Sequence, residues 1–176
     1  THADTKLAWP GVERGQGHAT PALVWYTRAT GDEQGIESAK RALDWWGRTY
    51  GPDPTLATIA TQAIRNMVLL YDLTGDEKWM DYGLALANHG GPYFRQEWSR
   101  HYGREHHYAM AVCCTEGVPE VAYLRNRPDL LTDALVGWER TKNTHSFITG
   151  GISELSHIHA RTDEMCPTDG WIRLNW

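Results

Sequence analysis

Ala29-Thr30-Gly31-Asp32-Glu33 recurs as Leu73-Thr74-Gly75-Asp76-Glu77, 44 residues further on. In each copy the Gly can end one helix in a left-handed turn, and the Asp can cap the next. Arg127-Pro128-Asp129 is a looser third copy, 53 residues beyond the second, with Pro near the start of a new helix. These intervals match the length of a helical hairpin, and a hairpin repeated at that period signals stacked helix pairs.

The flanking segments agree. After the first Gly-Asp, Ile36, Ala39, Leu43 and Trp46 keep helical spacing. Trp79, Tyr82, Gly83 and Leu86 do so after the second, and Leu131, Ala134, Leu135 and Trp138 after the third. One apolar stripe with a polar back is the pattern of an outer helix. These helices should stop at Gly51-Pro52, at Gly90-Gly91-Pro92 and near Thr149-Gly150-Gly151. The segments before each turn differ. Leu56 to Tyr71 is apolar on several sides, and so is Tyr108 to Leu124, where Gly117 and Pro119 should introduce a kink. A helix apolar nearly all round is an inner helix. Phe147 to Ser153 is the only strand candidate.

The expected fold is therefore all-α: an α/α toroid of helical hairpins. Residues 1–176 would form one partial domain, with three hairpins and the start of a fourth inner helix. Six hairpins need roughly 300 residues by the repeat logic, so about half of the ring is present. A half ring leaves its inner face open, and should be unstable alone, dimerise, or be a fragment.

The totals exclude some function classes. A net charge of −5 without a basic cluster gives no electrostatic case for nucleic acid. No apolar run approaches the length of a membrane span, and no secretory signal is visible. Three Cys, two of them adjacent, do not make a disulfide framework; they point to a reducing compartment or a metal site. Nine Trp and eight Tyr against two Phe are unusual. Trp and Tyr pair an apolar body with a polar edge, which suits the apolar face and hydroxyl rim of a sugar, although large aromatics also fill gaps between helices.

The densest polar chemistry lies late in the chain. Glu154, His157, His159, Arg161, Asp163, Glu164, Cys166 and Asp169 follow the Thr149-Gly150-Gly151-Ile152-Ser153 turn. Glu164-x-Cys166 could supply two zinc ligands, with His157 or His159 adding imidazoles; the alternative is a solvated polar loop. Three inner helices should open at one rim on polar groups: Gly15-Gln16-Gly17-His18, Arg104-Glu105-His106-His107 and Glu164-Met165-Cys166. Free N–H groups at such an opening suit an anion or a hydroxyl-rich ligand. Cys113-Cys114 fall inside an inner helix, where a free Cys behaves as a small apolar residue. Glycosidases use two carboxyl groups across the scissile bond, and Glu105, Glu116, Glu154, Asp163, Glu164 and Asp169 are the candidates.

On these residues the chain resembles the β-L-arabinofuranosidase-like glycoside hydrolases, which have an (α/α)6 barrel. Arg14-Gly15-Gln16-Gly17-His18 followed by Gly31-Asp32 is similar to the family's Gly-His opening and Thr-Gly-Asp turn. Thr149-Gly150-Gly151-Ile152-Ser153 is similar to its Thr-Gly-Gly-Ile-Gly-Ser stretch, and Glu164-Met165-Cys166 to its Glu-x-Cys zinc pair. The resemblance implies a partial catalytic domain of a retaining glycosidase with a Cys nucleophile. Glu164 and Cys166 would be zinc ligands, His18 and one of His106 or His107 would hold sugar hydroxyls, and Glu154 would be the acid/base. The family's vicinal Cys pair, which completes the zinc site and supplies the nucleophile, would fall after Trp176; Cys113-Cys114 do not match it. Ala60 stands where the arabinofuranosidases place a sugar-contacting His, which favours a sibling branch with another sugar.

Two other classes compete. A toroid polysaccharide lyase or sugar epimerase would work with His, Tyr or Glu bases and need no Cys cluster. A non-catalytic toroid would bind a glycan or a protein, since fold does not fix function. The compartment is open, and a homodimer is the expected assembly if the half ring is genuine.

Overall fold

The computed structural model describes residues 10–50, 63–95, 116–153 and 165–175; within these, the side chains of residues 10–18, 49–50, 89–95, 165–167 and 169 lie outside the description. Seven helices run through the described residues. They are α1 (Pro10–Thr30), α2 (Glu33–Tyr50), α3 (Ile64–Thr74), α4 (Glu77–Arg95), α5 (Val118–Leu124), α6 (Pro128–Thr144) and α7 (Met165–Leu174). The chain is all-α, as the repeat predicts. The strand candidate reduces, among the described residues, to one antiparallel bridge between Ser146 and Ile152.

The two Thr-Gly-Asp corners are the same structure built twice. Gly31 has φ 74° and donates its N–H to Thr27 O at 2.8 Å; Gly75 has φ 67° and donates to Tyr71 O at 2.7 Å. The preceding Thr hydroxyl donates back into its own helix, Thr30 to Tyr26 O at 2.8 Å and Thr74 to Leu70 O at 2.6 Å. It also accepts from the Asp N–H, at 3.1 Å for Asp32 and 3.3 Å for Asp76. The Asp carboxylate then caps the next helix, accepting from Gln34 N at 2.9 Å and from Lys78 N at 3.1 Å. So one three-residue unit closes the carbonyl end of one helix and the amide end of the next.

The third corner reaches the same turn with different residues. Asn126 takes the left-handed position at φ 51°. Arg127 N–H donates to Ala122 O at 2.8 Å and Asn126 N–H to Tyr123 O at 3.2 Å, the paired bonds of a Schellman end. Pro128 opens α6, and Arg127 grips Asp129 with two bonds of 2.8 and 2.6 Å.

Each corner folds a helix back on its predecessor, and the pairs stack. α1 packs on α2, α3 on α4 and α5 on α6. The first members also touch in order, α1 to α3 to α5, and so do the second members, α2 to α4 to α6. The result is two curved layers, the arc of an α/α toroid. α3 sits in the middle, against α1, α2, α4 and α5, and buries Ile64, Asn66, Met67, Val68 and Leu70, so it is an inner helix as expected. α2 buries Ile36, Ala39, Leu43 and Trp46, the stripe read from its spacing. Each fully buried Leu, Ile or Met contributes about 1.5–3 kcal/mol and a cap about 1 kcal/mol, so burial decides which helices pair and the caps decide where they end.

Three expectations change. The buried stripe of α6 is Leu130, Ala134, Gly137 and Thr141, whereas Leu131 and Leu135 are exposed. Two overlapping stripes share this helix, and the small side chains of Ala134 and Gly137 form the face that packs on α4 and α5. α4 continues through Gly90-Gly91-Pro92 to Arg95, and α1 contains Gly15 to His18 instead of starting after them. A helical Gly costs about 1 kcal/mol, which neighbouring turns can absorb, so it weakens a helix without ending it. Tyr108 to Leu124 lies partly outside the described residues; its end is the separate helix α5, capped by Gly117 at φ 88°.

Gly117 is constrained twice. Besides its positive φ, a Cβ there would lie 2.5 Å from Arg65 N and 2.7 Å from Arg65 Cα, in the backbone of α3. A Cβ on Gly31 would meet nothing within 4 Å. Gly117→Ala should therefore cost about 2–4 kcal/mol and Gly31→Ala about 1 kcal/mol, read as shifts of the urea midpoint. At the third corner, the hydrogen bonds from Arg127 hold the Asp129 carboxyl down at about 2. This lowered value means that the pair's contribution is complete above the ordinary carboxylate range and is lost as pH falls towards 2. Carboxyl titration by NMR should find that low midpoint, and Arg127→Ala should return it to about 4.

Candidate active site

The candidate site grows from the end of α6. His145 N–H still donates to Thr141 O at 3.0 Å, and then the chain reverses. Gly150, at φ 89° with open space around it, makes the reversal. Phe147 N–H donates to Gly151 O at 2.8 Å, Gly150 N–H to Phe147 O at 2.9 Å and Ser153 N–H to His145 O at 2.8 Å. The Gly-Gly-Ile-Ser stretch is thus a tight turn whose far arm is buried at Gly151, Ile152 and Ser153. His145, 3% exposed, sits beneath it with Nδ1 2.5 Å from Thr144 Oγ1.

The opposite wall is α7. It begins at Met165, directly after Glu164, and carries Cys166 in its first turn. A hydrogen bond joins the walls: Ile152 N–H donates to Thr168 Oγ1 at 3.0 Å. The other end of α7 is anchored to the ring. Trp171 stacks on Trp138 of α6, with centroids 5.8 Å apart and planes 21° apart. Trp138 Nε1–H donates to Asn175 Oδ1 at 2.8 Å, and Arg65 of α3 donates to Arg173 O at 3.2 Å. Arg173 also pairs with Glu116, Nε to Oε1 at 3.4 Å.

The Thr-Gly-Gly-Ile-Ser turn and the Cys166 end of α7 are now neighbours, and a family comparison recognises the same span. The model for the β-L-arabinofuranosidase, GH127 catalytic domain matches residues 16–170. The chain belongs to this family. GH127 is a family of glycoside hydrolases, enzymes that act on carbohydrates. No curated protein and no solved structure matches the chain. No helix among the described residues is long and apolar enough to cross a membrane.

Of the site residues expected for such a hydrolase, Glu154, Glu164, His106 and His107 lie outside the described residues. Cys166 and His18 are placed only by their helices, α7 and α1. His18 lies well inside α1, so the free N–H groups expected beside it are absent from that helix turn. Among the described residues no three His, Cys, Asp or Glu side chains converge on a metal position. Glu116, one of the candidate carboxyls, is buried and pairs with Arg173, seven residues along α7 from Cys166, or about 10 Å by helical rise. Sequence reasoning missed Thr168, Trp138 and Asn175 as supports of α7. Helical spacing marked Trp138 only as an apolar position.

The Trp138 stack and its indole bond should govern how firmly α7 is seated. Trp138→Ala should cost about 2–3 kcal/mol and Trp138→Phe, which keeps a stacked ring, about 1 kcal/mol. Hydrogen exchange across residues 165–175 is the measurement, with faster exchange in the Ala variant.

Proposed function

We propose that this chain supplies the acid/base wall and part of the zinc site of a retaining glycosidase. The GH127 match over residues 16–170 supports this reading, together with the bond that ties the Gly-Gly turn to the Cys166 helix. Glu164 and Cys166 are donors of the kind zinc prefers, and they flank the start of α7. Zinc takes four ligands, or three and an open position, so two donors fit in kind and leave the set incomplete. The resemblance fills it with a vicinal Cys pair beyond Trp176, one of which is the nucleophile.

When bound, zinc keeps a thiolate deprotonated at neutral pH. The chain's own residues do the rest of the work assigned here. Glu154, protonated, gives its proton to the leaving oxygen as the glycosidic bond breaks. As a carboxylate it then takes a proton from the water that releases the sugar. His18, and His106 or His107, hold ring hydroxyls and so orient the anomeric carbon. Ala60, in place of the arabinofuranosidases' sugar-contacting His, favours a glycoside other than β-L-arabinofuranoside.

The test uses the protein encoded by the whole reading frame, with a panel of aryl glycosides and metal analysis. Turnover should depend on bound zinc, and Cys166→Ser should lose the metal. Glu154→Gln should lower kcat by about 10²–10⁴, and the 176-residue chain alone should turn nothing over. Full activity in zinc-free protein would sink the mechanism. An unsaturated, ultraviolet-absorbing product would establish a lyase instead, and glycan binding without turnover would establish a binding toroid.

A further inference from the structure

The bond between Ile152 and Thr168 has a specific geometric cause. In the reversal after α6, Phe147 N–H and Ser153 N–H point inward and bind Gly151 O and His145 O. Ser146 and Ile152 face each other between those bonds, so the Ile152 N–H points out of the hairpin. Ile152 is fully buried, and a buried N–H needs an acceptor. The hairpin offers none on that side. Thr168 Oγ1 supplies it at 3.0 Å.

From this we propose that Thr168 is a positioning residue, which holds the Gly150-to-Ser153 turn against the Cys166 end of α7 and so, on the glycosidase reading, governs kcat. The inference rests on the glycosidase reading above. The bond's two ends each lie two residues from the groups that matter: Ile152 precedes Glu154 by two, and Thr168 follows Cys166 by two. A short backbone-to-side-chain bond at that place fixes the turn that leads into Glu154 relative to the first turns of α7. The rest of α7 is held separately, by Trp138 on Trp171 and by Arg65 on the Arg173 carbonyl. Loss of the Thr168 hydroxyl should therefore loosen the turn at Ile152 while leaving the helix seated. A displacement of the acid by about 1 Å is enough to slow proton transfer strongly.

The experiment compares Thr168→Val, which keeps the shape and removes the hydroxyl, with Thr168→Ser, which keeps the hydroxyl. Both are made in the protein encoded by the whole reading frame. In the Val variant, exchange of the Ile152 amide should quicken about tenfold or more, as expected for a buried amide that loses its acceptor. Its zinc content and KM should hold while kcat falls, and the Ser variant should restore both exchange and kcat. Unchanged exchange at Ile152 would overturn the proposal. So would a kcat loss that only tracks a lowered melting temperature, or one that Ser fails to restore. If the unaltered protein cleaves no glycoside, the glycosidase reading falls and the catalytic role falls with it. The exchange comparison then decides separately whether Thr168 holds the turn.

Discussion

A left-handed residue placed between two helices is the constraint on which the rest of the arc depends. At Gly31 and Gly75 the backbone takes a conformation that costs most residues about 1–2 kcal/mol, and the chain turns back on itself there. The Thr on one side and the Asp on the other satisfy the groups that the turn strands. Because both corners use the same bonds, the two hairpins turn in the same way, and their helices stack in order. Asn126 shows that the requirement is the conformation and not the Gly. A left-handed Asn, with a Schellman end and a Pro to start the next helix, makes an equivalent corner.

Packing then distinguishes the layers. α3 is apolar on enough sides to be covered by four neighbours, whereas α2 has one stripe and keeps a solvated back. Where a Cβ would collide, Gly sets the distance between elements. Gly117 brings the start of α5 onto the backbone of α3, and Gly47 leaves room for the Tyr82 ring between α2 and α4. These contacts set how closely the paired helices approach.

The functional region lies at the far end of the arc: the buried reversal after α6, and α7 lying beside it. Neither wall is held by apolar burial alone. The reversal depends on Gly150 and three backbone bonds, and α7 on a Trp pair, an Arg–carbonyl bond and the Arg173–Glu116 ion pair. The Glu116 carboxylate is buried and Arg173 only partly so; a buried ion pair offers little net stabilisation, but leaving one partner alone is costly.

The sequence by itself determined what local chemistry controls. Thr-Gly-Asp recurs within the few residues that close and open adjacent helices, so the corners, the all-α class and the inner and outer order were legible, and the family motifs lay in plain view. Tertiary structure decided whatever depends on which face meets which neighbour. Leu131 and Leu135 have the same helical spacing as Leu130 and Ala134, and only the approach of α4 and α5 selects the second pair. Gly90 and Gly91 read as a stop, yet a helix tolerates them. Glu116 stood in the sequence only as one of six candidate carboxyls, and its pairing with Arg173, 57 residues on, needed the fold. Thr168 carries no signal in one dimension, because its partner is a backbone N–H sixteen residues away. A hydrogen bond between distant segments has no period and no composition, so it exists for the reader only once the chain is folded.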